Sequence, residues 1–422
     1  MKKENNYYRA TANKSIDCPS LDGDITADVC IIGAGFTGLG TALELSTKGL
    51  SVVVLEAGEI AEGASGRSGG QIASGYSCGM METENIVGPD DARHLWAFSE
   101  EAKQILHERI SSFKIECDYQ DGELYAAPKE SHAKWLRKEQ EFVERNYGYN
   151  GYRWLDTSAM RQTMAGSRYV GALLDVEGGH IHPLNYSLGM ADAALKRGVQ
   201  IYTNTRAKSY TEQNGVKVVT DTGSVTAKSL VLAGNAYLRG VAPALEWRMV
   251  PITSSILATE PLGQERRDSL MRSTACVADT NFDLDYFKFT TDTRLVYGAQ
   301  DLSFGRSTPQ NNAVCNCMLK TFPMLDDVKV DYFWNGQVSV TRKRLPDLGR
   351  LGKYTYYAHG YSGQGVPLSA VVSRILAEAV AGDMGRLDVF ERIPHSFIPK
   401  YRFAQLPIYY TILFWNRLKD LL

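Results

Sequence analysis

No stretch of this 422-residue chain holds the ~20 consecutive apolar residues that a membrane span requires. The longest apolar run, 407–415, is far shorter and reads as a packed C-terminal helix, with peripheral membrane contact as the lesser reading. Met1-Lys2-Lys3-Glu4-Asn5-Asn6 is polar with no apolar segment behind it, so no secretory signal is read there. Cysteine is sparse. The seven residues, Cys18, Cys30, Cys78, Cys117, Cys276, Cys315 and Cys317, are odd in number and share no spacing, which excludes a disulfide framework. Reduced thiols point to the cytoplasm. Charge of one sign is also missing: 46 Lys and Arg balance 48 Asp and Glu, for a net charge of −2. That argues against nucleic acid or a polybasic membrane arm and leaves a small molecule as the expected partner. His180 and His182 have no third ligand at metal spacing, so no metal site is read. The length exceeds what a single core fills and predicts two lobes.

What is present concentrates between residues 27 and 71. Asp28-Val29-Cys30-Ile31-Ile32 is a short apolar run of the kind buried in a parallel sheet. Gly33-Ala34-Gly35-Phe36-Thr37-Gly38 follows, then a helical pattern through Leu39, Ala42, Leu43 and Leu45. Ser51-Val52-Val53-Val54-Leu55 is a second buried strand with Glu56 at its carboxyl end. This is the context that the dinucleotide fingerprint requires. Gly33 permits the tight turn, Gly35 lets the backbone approach a pyrophosphate, and Gly38 lets the helix pack on the strand. The helix N-terminus offers unpaired N–H groups to the phosphates. Glu56 can accept hydrogen bonds from adenosine ribose hydroxyls and repels a 2′-phosphate.

The next stretch separates FAD from NAD. Gly63-Ala64-Ser65-Gly66-Arg67-Ser68-Gly69-Gly70-Gln71 is a second glycine-rich loop, where a nicotinamide enzyme usually continues with a regular helix. Such a donor-rich loop can follow an extended FAD towards its flavin, with Ser65, Arg67 and Ser68 reaching phosphate or ribityl oxygens.

On these residues the chain resembles the D-amino-acid oxidase-like flavoprotein family, which includes glycine and sarcosine oxidases. Further marks are Tyr7-Tyr8, Gly171-Ala172-Leu173-Leu174-Asp175, Gly178-Gly179-His180-Ile181-His182-Pro183, Trp334-Asn335-Gly336 and Gly360-Tyr361-Ser362-Gly363-Gln364-Gly365-Val366. The resemblance implies an α/β fold: a discontinuous Rossmann-like FAD-binding domain with an α+β substrate domain built on an antiparallel sheet. Residues 27–76, 175–240 and 335–390 are expected to form the first and 77–174 and 241–334 the second. Residues 391–422 are expected as a C-terminal helical extension. Beyond the two glycine loops, the resemblance carries Ala57, Ala207, Ala233, Gly234, Asn235 and 361–366 into the FAD site. The sequence agrees in part: a strand is read at 229–233, a strand at 355–358, and a glycine loop opening a helix at 368–380.

The implied chemistry is oxidation of a carbon–nitrogen bond by hydride transfer to flavin N5, followed by imine hydrolysis, with molecular oxygen as acceptor. The implied substrate is a γ-glutamyl-polyamine, an amine with a distant carboxylate. It calls for aromatic walls and a cation. Tyr286, Phe287, Trp334 and Tyr361 are the candidates for the walls and Arg294 for the cation. His182, Tyr286 and Tyr361 are the candidate catalytic groups, His182 because a neutral imidazole can take a proton near pH 7. Arg342-Lys343-Arg344 reads as solvated surface. The competing readings are a glycine- or sarcosine-type oxidase, a dehydrogenase passing electrons to a membrane quinone, and a flavin-binding protein with a structural role.

Overall fold

The computed structural model describes residues 5–166, 168–300 and 311–395. The apolar run 407–415 and most of the expected C-terminal extension lie outside them. Two sheets organise the chain. The first has eight strands in the order Asp347–Arg350, Thr355–His359, Gly223–Leu232, Gly23–Ile32, Val52–Leu55, Gln200–Tyr202, with the hairpin Ser209–Glu212/Val216–Val219 joined to Gly223–Leu232. The five strands from Thr355–His359 to Gln200–Tyr202 are parallel. Both faces of this core are covered, which is why its strands read as continuous apolar runs. Val29 and Ile31 pack on one side with the helices Phe36–Ser46, Pro183–Lys196 and Gly365–Val380, while Cys30 and Ile32 pack on the other with Val216, Val218 and Leu245.

The register brings Ile32, Leu55, Leu232 and Tyr357 side by side at the carboxyl edge. The loops that leave those strands therefore open at one crevice, where ligands bind in doubly wound sheets.

The second sheet has nine strands in the order Val330–Thr341, Met249–Thr259, Leu295–Gln300, Asp285–Phe289, Cys276–Asp279, Gln120–Ala127, Gly171–His180, Gln71–Ile72, with Tyr152–Leu155 also on Gly171–His180. All its pairings are antiparallel except Cys276–Asp279 with Gln120–Ala127. The strand Gln71–Ile72 begins at the end of the second glycine-rich loop, so that loop passes from one sheet to the other. The divisions expected at 174/175 and 334/335 fall inside Gly171–His180 and Val330–Thr341, two continuous strands of the second sheet. Among the described residues no single helix is long and apolar enough to cross a membrane. The seven cysteines are free thiols.

A four-residue helix, Tyr7–Ala10, precedes both sheets. Asn6 caps it by accepting from the Tyr8 N–H at 2.9 Å. Asn5 pairs with Phe333 of the second sheet, while Asn13 N–H donates to Asn185 Oδ1 at the head of a helix of the first lobe. The N-terminal segment thus straps the two lobes together.

Candidate active site

At the carboxyl edge of the first sheet, Gly33 has φ +110°, and a Cβ on it would lie 2.9 Å from the Ala233 carbonyl oxygen. A Cβ on Gly38 would lie 1.8 Å from the Gly33 carbonyl oxygen, so the helix can start this close to its strand only with glycine there. The first amides of the turn are held by side chains from the neighbouring segment. Phe36 N–H donates to Ser65 Oγ at 3.0 Å and Ala34 N–H donates to Glu56 Oε2 at 2.7 Å. Gly58 N–H donates to Glu56 Oε1 at 3.0 Å. Burial raises the Glu56 carboxyl above the usual range, and these backbone donors pull it back. An acceptor-rich carboxylate and an N–H-rich helix end stand side by side, as adenosine ribose and pyrophosphate need.

The second glycine-rich loop is fixed by the second sheet. Trp334 Nε1–H donates to the Arg67 carbonyl at 2.9 Å, Arg67 Nη1 donates to the Asn335 carbonyl at 3.2 Å, and Ile181 N–H donates to the Gly70 carbonyl at 2.9 Å. The loop after Thr355–His359 comes to the same place. Asn235 Oδ1 accepts from Gly360 N–H at 3.1 Å, Ser362 N–H donates to the Ser339 carbonyl at 3.0 Å, and the Tyr361 and Thr37 hydroxyls lie 2.7 Å apart. Gln364 then heads the helix Gly365–Val380. Gln364 Oε1 and Asn335 Nδ2 are buried without a partner among the described residues. Buried polar atoms are rarely left unpaired, so an unmet acceptor at the head of the helix that opens on this crevice fits a polar-edged cofactor such as FAD.

The expected FAD residues are therefore drawn from loops that the topology gathers at one edge; Ala207 packs nearby with Leu55 and Val53. The expected catalytic and substrate residues divide. Tyr286 lies against the glycine loop, with a ring carbon 2.9 Å from where a Cβ on Gly69 would stand, and its hydroxyl is 2.8 Å from Ser254 Oγ. Burial pushes its phenol up to about 12. Phe287, its neighbour on the strand, points to the opposite face and stacks on Tyr297 within the second sheet's own core. Trp334 is fully buried, edge-on to Tyr8. Arg294 pairs with Asp292 at 2.9 Å and Asp331 at 2.5 Å and donates to the Thr259 carbonyl.

His182 has both ring nitrogens engaged. Its Nδ1 accepts from the Asn185 N–H at 3.1 Å as N-cap of Pro183–Lys196. Its Nε2 lies 3.0 Å from Thr11 Oγ1, whose own proton goes to the Tyr7 carbonyl. The tautomer is thereby Nε2–H, and no lone pair remains for a substrate proton. Burial, then Lys288, lowers this imidazole to about 3. His180 donates through Nε2 to the Thr274 carbonyl at 3.0 Å and is likewise lowered to about 3.

Two features escaped the sequence reading. Lys288, two residues beyond Tyr286 and on the same strand face, is buried; its Nζ donates to the Ile181 carbonyl at 2.6 Å, and burial lowers it to about 8. It borders a cavity of about 20 Å³ with Tyr8, Asp118, Gln120, His180 and His182, room for a single water. Strand alternation from Tyr286 was the available signal. Glu123 and Asp175, directly opposite each other on paired strands, are both buried. Asp175 is held by Tyr149 and by Ser74 Oγ at 2.6 Å, whereas Glu123 Oε2 has no partner among the described residues.

The comparisons with known proteins agree with this geometry. Residues 28–379 match the family described as FAD dependent oxidoreductase, DAO. The chain is 41% identical to γ-glutamylputrescine oxidoreductase of Escherichia coli K12 over 404 residues, covering 95% of this chain and 94% of that protein. It is 39% identical to the probable oxidoreductase OrdL of Haemophilus influenzae, covering 91% and 90%. Among solved structures, glycine oxidase from Bacillus cereus superposes with a TM-score of 0.72 at 19% identity, over 88% of this chain and 99% of that one. Sheet order, glycine crevice and similarity along nearly the whole chain lead to one conclusion: this chain belongs to the DAO family of FAD-dependent oxidoreductases.

Proposed function

We propose that this protein oxidises the primary amine of a γ-glutamyl-polyamine such as γ-glutamylputrescine. The observation that carries the substrate class is the 41% identity, spread over 95% of the chain, to an enzyme named for that compound. The products are the aldehyde and ammonia, with water consumed. Dioxygen takes the two electrons and two protons as hydrogen peroxide.

Bound FAD supplies the two-electron acceptor; the chain supplies place and dryness. The loops 33–38, 56–70, 233–235 and 360–365 would hold the cofactor. Tyr286 and Tyr361 present phenols that burial keeps protonated at neutral pH, so they orient by hydrogen bonding. Tyr286 stands over the glycine loop and shields it from water. His182 holds the helix Pro183–Lys196 and the N-terminal strap in place.

The test is anaerobic reduction of the purified holoprotein, followed by its flavin absorbance. Bleaching by γ-glutamylputrescine but not by putrescine, sarcosine or glycine, with recovery and peroxide in air, supports the proposal. Bleaching by sarcosine or glycine moves the substrate to a short amino acid. Recovery only with a quinone removes oxygen as the acceptor.

A further inference from the structure

Arginines in the interior of this protein come with carboxylates. Arg67, Arg109, Arg168, Arg248, Arg266, Arg267, Arg294, Arg374 and Arg386 are each at least partly buried, and each pairs with an Asp or Glu within 4.0 Å. Arg344 is the exception. It is partly buried, yet among the described residues its guanidinium meets no carboxylate and makes no hydrogen bond. Its carbon lies 5.0 Å over the ring of Phe282. Burial pushes its pKa below the usual arginine value, and among the described residues Cys78 is the one titratable group that acts on it. A half-buried guanidinium that rests over an aromatic ring and meets no carboxylate keeps the five donors of its planar fork available to an anion.

Its position is built with some strain. Arg344 has φ +57°, in the left-handed region that a long side chain rarely adopts. The turn is closed by Arg344 N–H donating to the Thr341 carbonyl at 3.1 Å and by Thr341 Oγ1 donating to the Leu345 carbonyl at 2.7 Å. Thr341 N–H donates to Ser362 Oγ at 3.2 Å, and Val340 pairs with Tyr361. The turn is therefore welded to the loop 360–364 that faces the cofactor crevice. Phe282 comes from the substrate lobe, in the loop between Cys276–Asp279 and Asp285–Phe289, and Cys78 follows shortly after the strand Gln71–Ile72. Arg344 thus stands at the seam of the two lobes, beside the segments that deliver Tyr361 and Tyr286.

We propose that Arg344 is the specificity residue that binds the α-carboxylate at the γ-glutamyl end of the substrate. The inference rests on the substrate class proposed above. That molecule carries its carboxylate nine bonds from the reacting carbon, roughly 10 Å when extended. A substrate of that length needs its anion received away from the reacting carbon, and a bidentate guanidinium is the group that reads a carboxylate by shape.

The test compares two substrates in holoenzyme: γ-glutamylputrescine, and the same amide lacking the α-carboxylate (4-aminobutanoyl-putrescine). Arg344→Gln is expected to raise KM for the first by about 30–100-fold with kcat within about threefold, and to leave kcat/KM for the second unchanged. Arg344→Lys is expected to recover part of the loss. A structural arginine would lower both substrates equally, and that outcome overturns the proposal while leaving the substrate class intact. A wild-type flavin that γ-glutamylputrescine does not reduce overturns both. Should Arg344→Gln fail to hold FAD, the unreactive γ-glutamylbutylamide is titrated into the wild-type holoenzyme, following the flavin spectrum, beside its analogue without the carboxylate. Binding weaker by a similar factor for the analogue supports the proposal, and equal binding overturns it.

Discussion

The hydroxyl of Tyr361 lies 2.7 Å from Oγ1 of Thr37, joining residues 324 apart in the chain. Thr37 is in the first turn of the helix Phe36–Ser46, proposed to receive the cofactor's phosphates, and Tyr361 is in the loop that leaves the parallel strand Thr355–His359 at the same crevice. The bond is buried and ties together the two loops of the proposed FAD site. Tyr361→Phe removes one partner and strands the other, worth about 1–2 kcal/mol. FAD affinity, measured by reconstitution of apoprotein, is expected to fall by roughly 5–30-fold, with the substrate KM of the loaded enzyme little changed. Unaltered FAD affinity would show that the two loops are held apart by other contacts.

The capping of Pro183–Lys196 by His182 predicts an acid sensitivity. The buried imidazoles of His180 and His182 are held near 3, against 6.5 for an ordinary histidine. Between those values the unfolded chain binds more protons than the folded one, so stability rises with pH in that window and is lost as pH falls from about 6.5 towards 3. His182→Asn keeps a capping oxygen and removes one of the two protons. The variant is expected to unfold less steeply with acid, by chemical denaturation at pH 7 and pH 5, and to keep kcat within about threefold. A loss of 10²-fold or more in kcat would restore His182 as a proton acceptor.

How much of this was legible in the sequence depends on the range over which each residue's role is decided. Gly33 to Gly38 and Glu56 act at fixed spacing along strand, turn and helix, so their roles are written locally. The two phenyl candidates on Asp285–Phe289 were separable in principle: alternation sends Tyr286 and Phe287 to opposite faces, and only Tyr286 meets Gly69. The two arginines were not separable. Arg294 is neutralised by Asp292 nearby and by Asp331, 37 residues on, which the sheet brings alongside. Arg344 reads as part of a basic surface run until Phe282, more than 60 positions earlier, is found beneath it. The helix Tyr7–Ala10 was hidden for another reason: four residues are too short to show a period.

Glu123 predicts the opposite pH dependence to the histidines. Burial, and Asp175 across the sheet, raise its carboxyl from 4.5 to about 8, so it is protonated at neutral pH. Between those values the folded protein binds more protons than the unfolded chain, and stability falls as pH rises through the window. Glu123→Gln keeps the shape and removes the titration. At pH 8 it is expected to stabilise by roughly 2–4 kcal/mol, and at pH 5 by almost nothing. Equal effects at the two pH values in thermal unfolding would place Glu123's carboxyl in its ordinary range.

Lys288 sets two effects of similar size against each other, and pH separates them. Its buried amine is lowered from 10.5 to about 8, so at pH 7 the folded state carries a charge that costs roughly 3 kcal/mol relative to water. Lys288→Met removes that cost but strands the Ile181 carbonyl, which now accepts from Nζ at 2.6 Å, at about 1–3 kcal/mol. At pH 7 the variant and the wild type are therefore expected to be nearly equal in stability. Above pH 8 the wild-type lysine sheds its proton when folded and keeps it when unfolded, so wild-type stability rises towards pH 10.5 relative to the variant. The same pair compared at pH 7 and pH 9.5 by urea unfolding is expected to differ by roughly 2 kcal/mol more in favour of the wild type at the higher pH. A constant difference would mean that Nζ finds enough compensation in the small cavity beside Asp118 and Gln120 to keep its ordinary proton affinity.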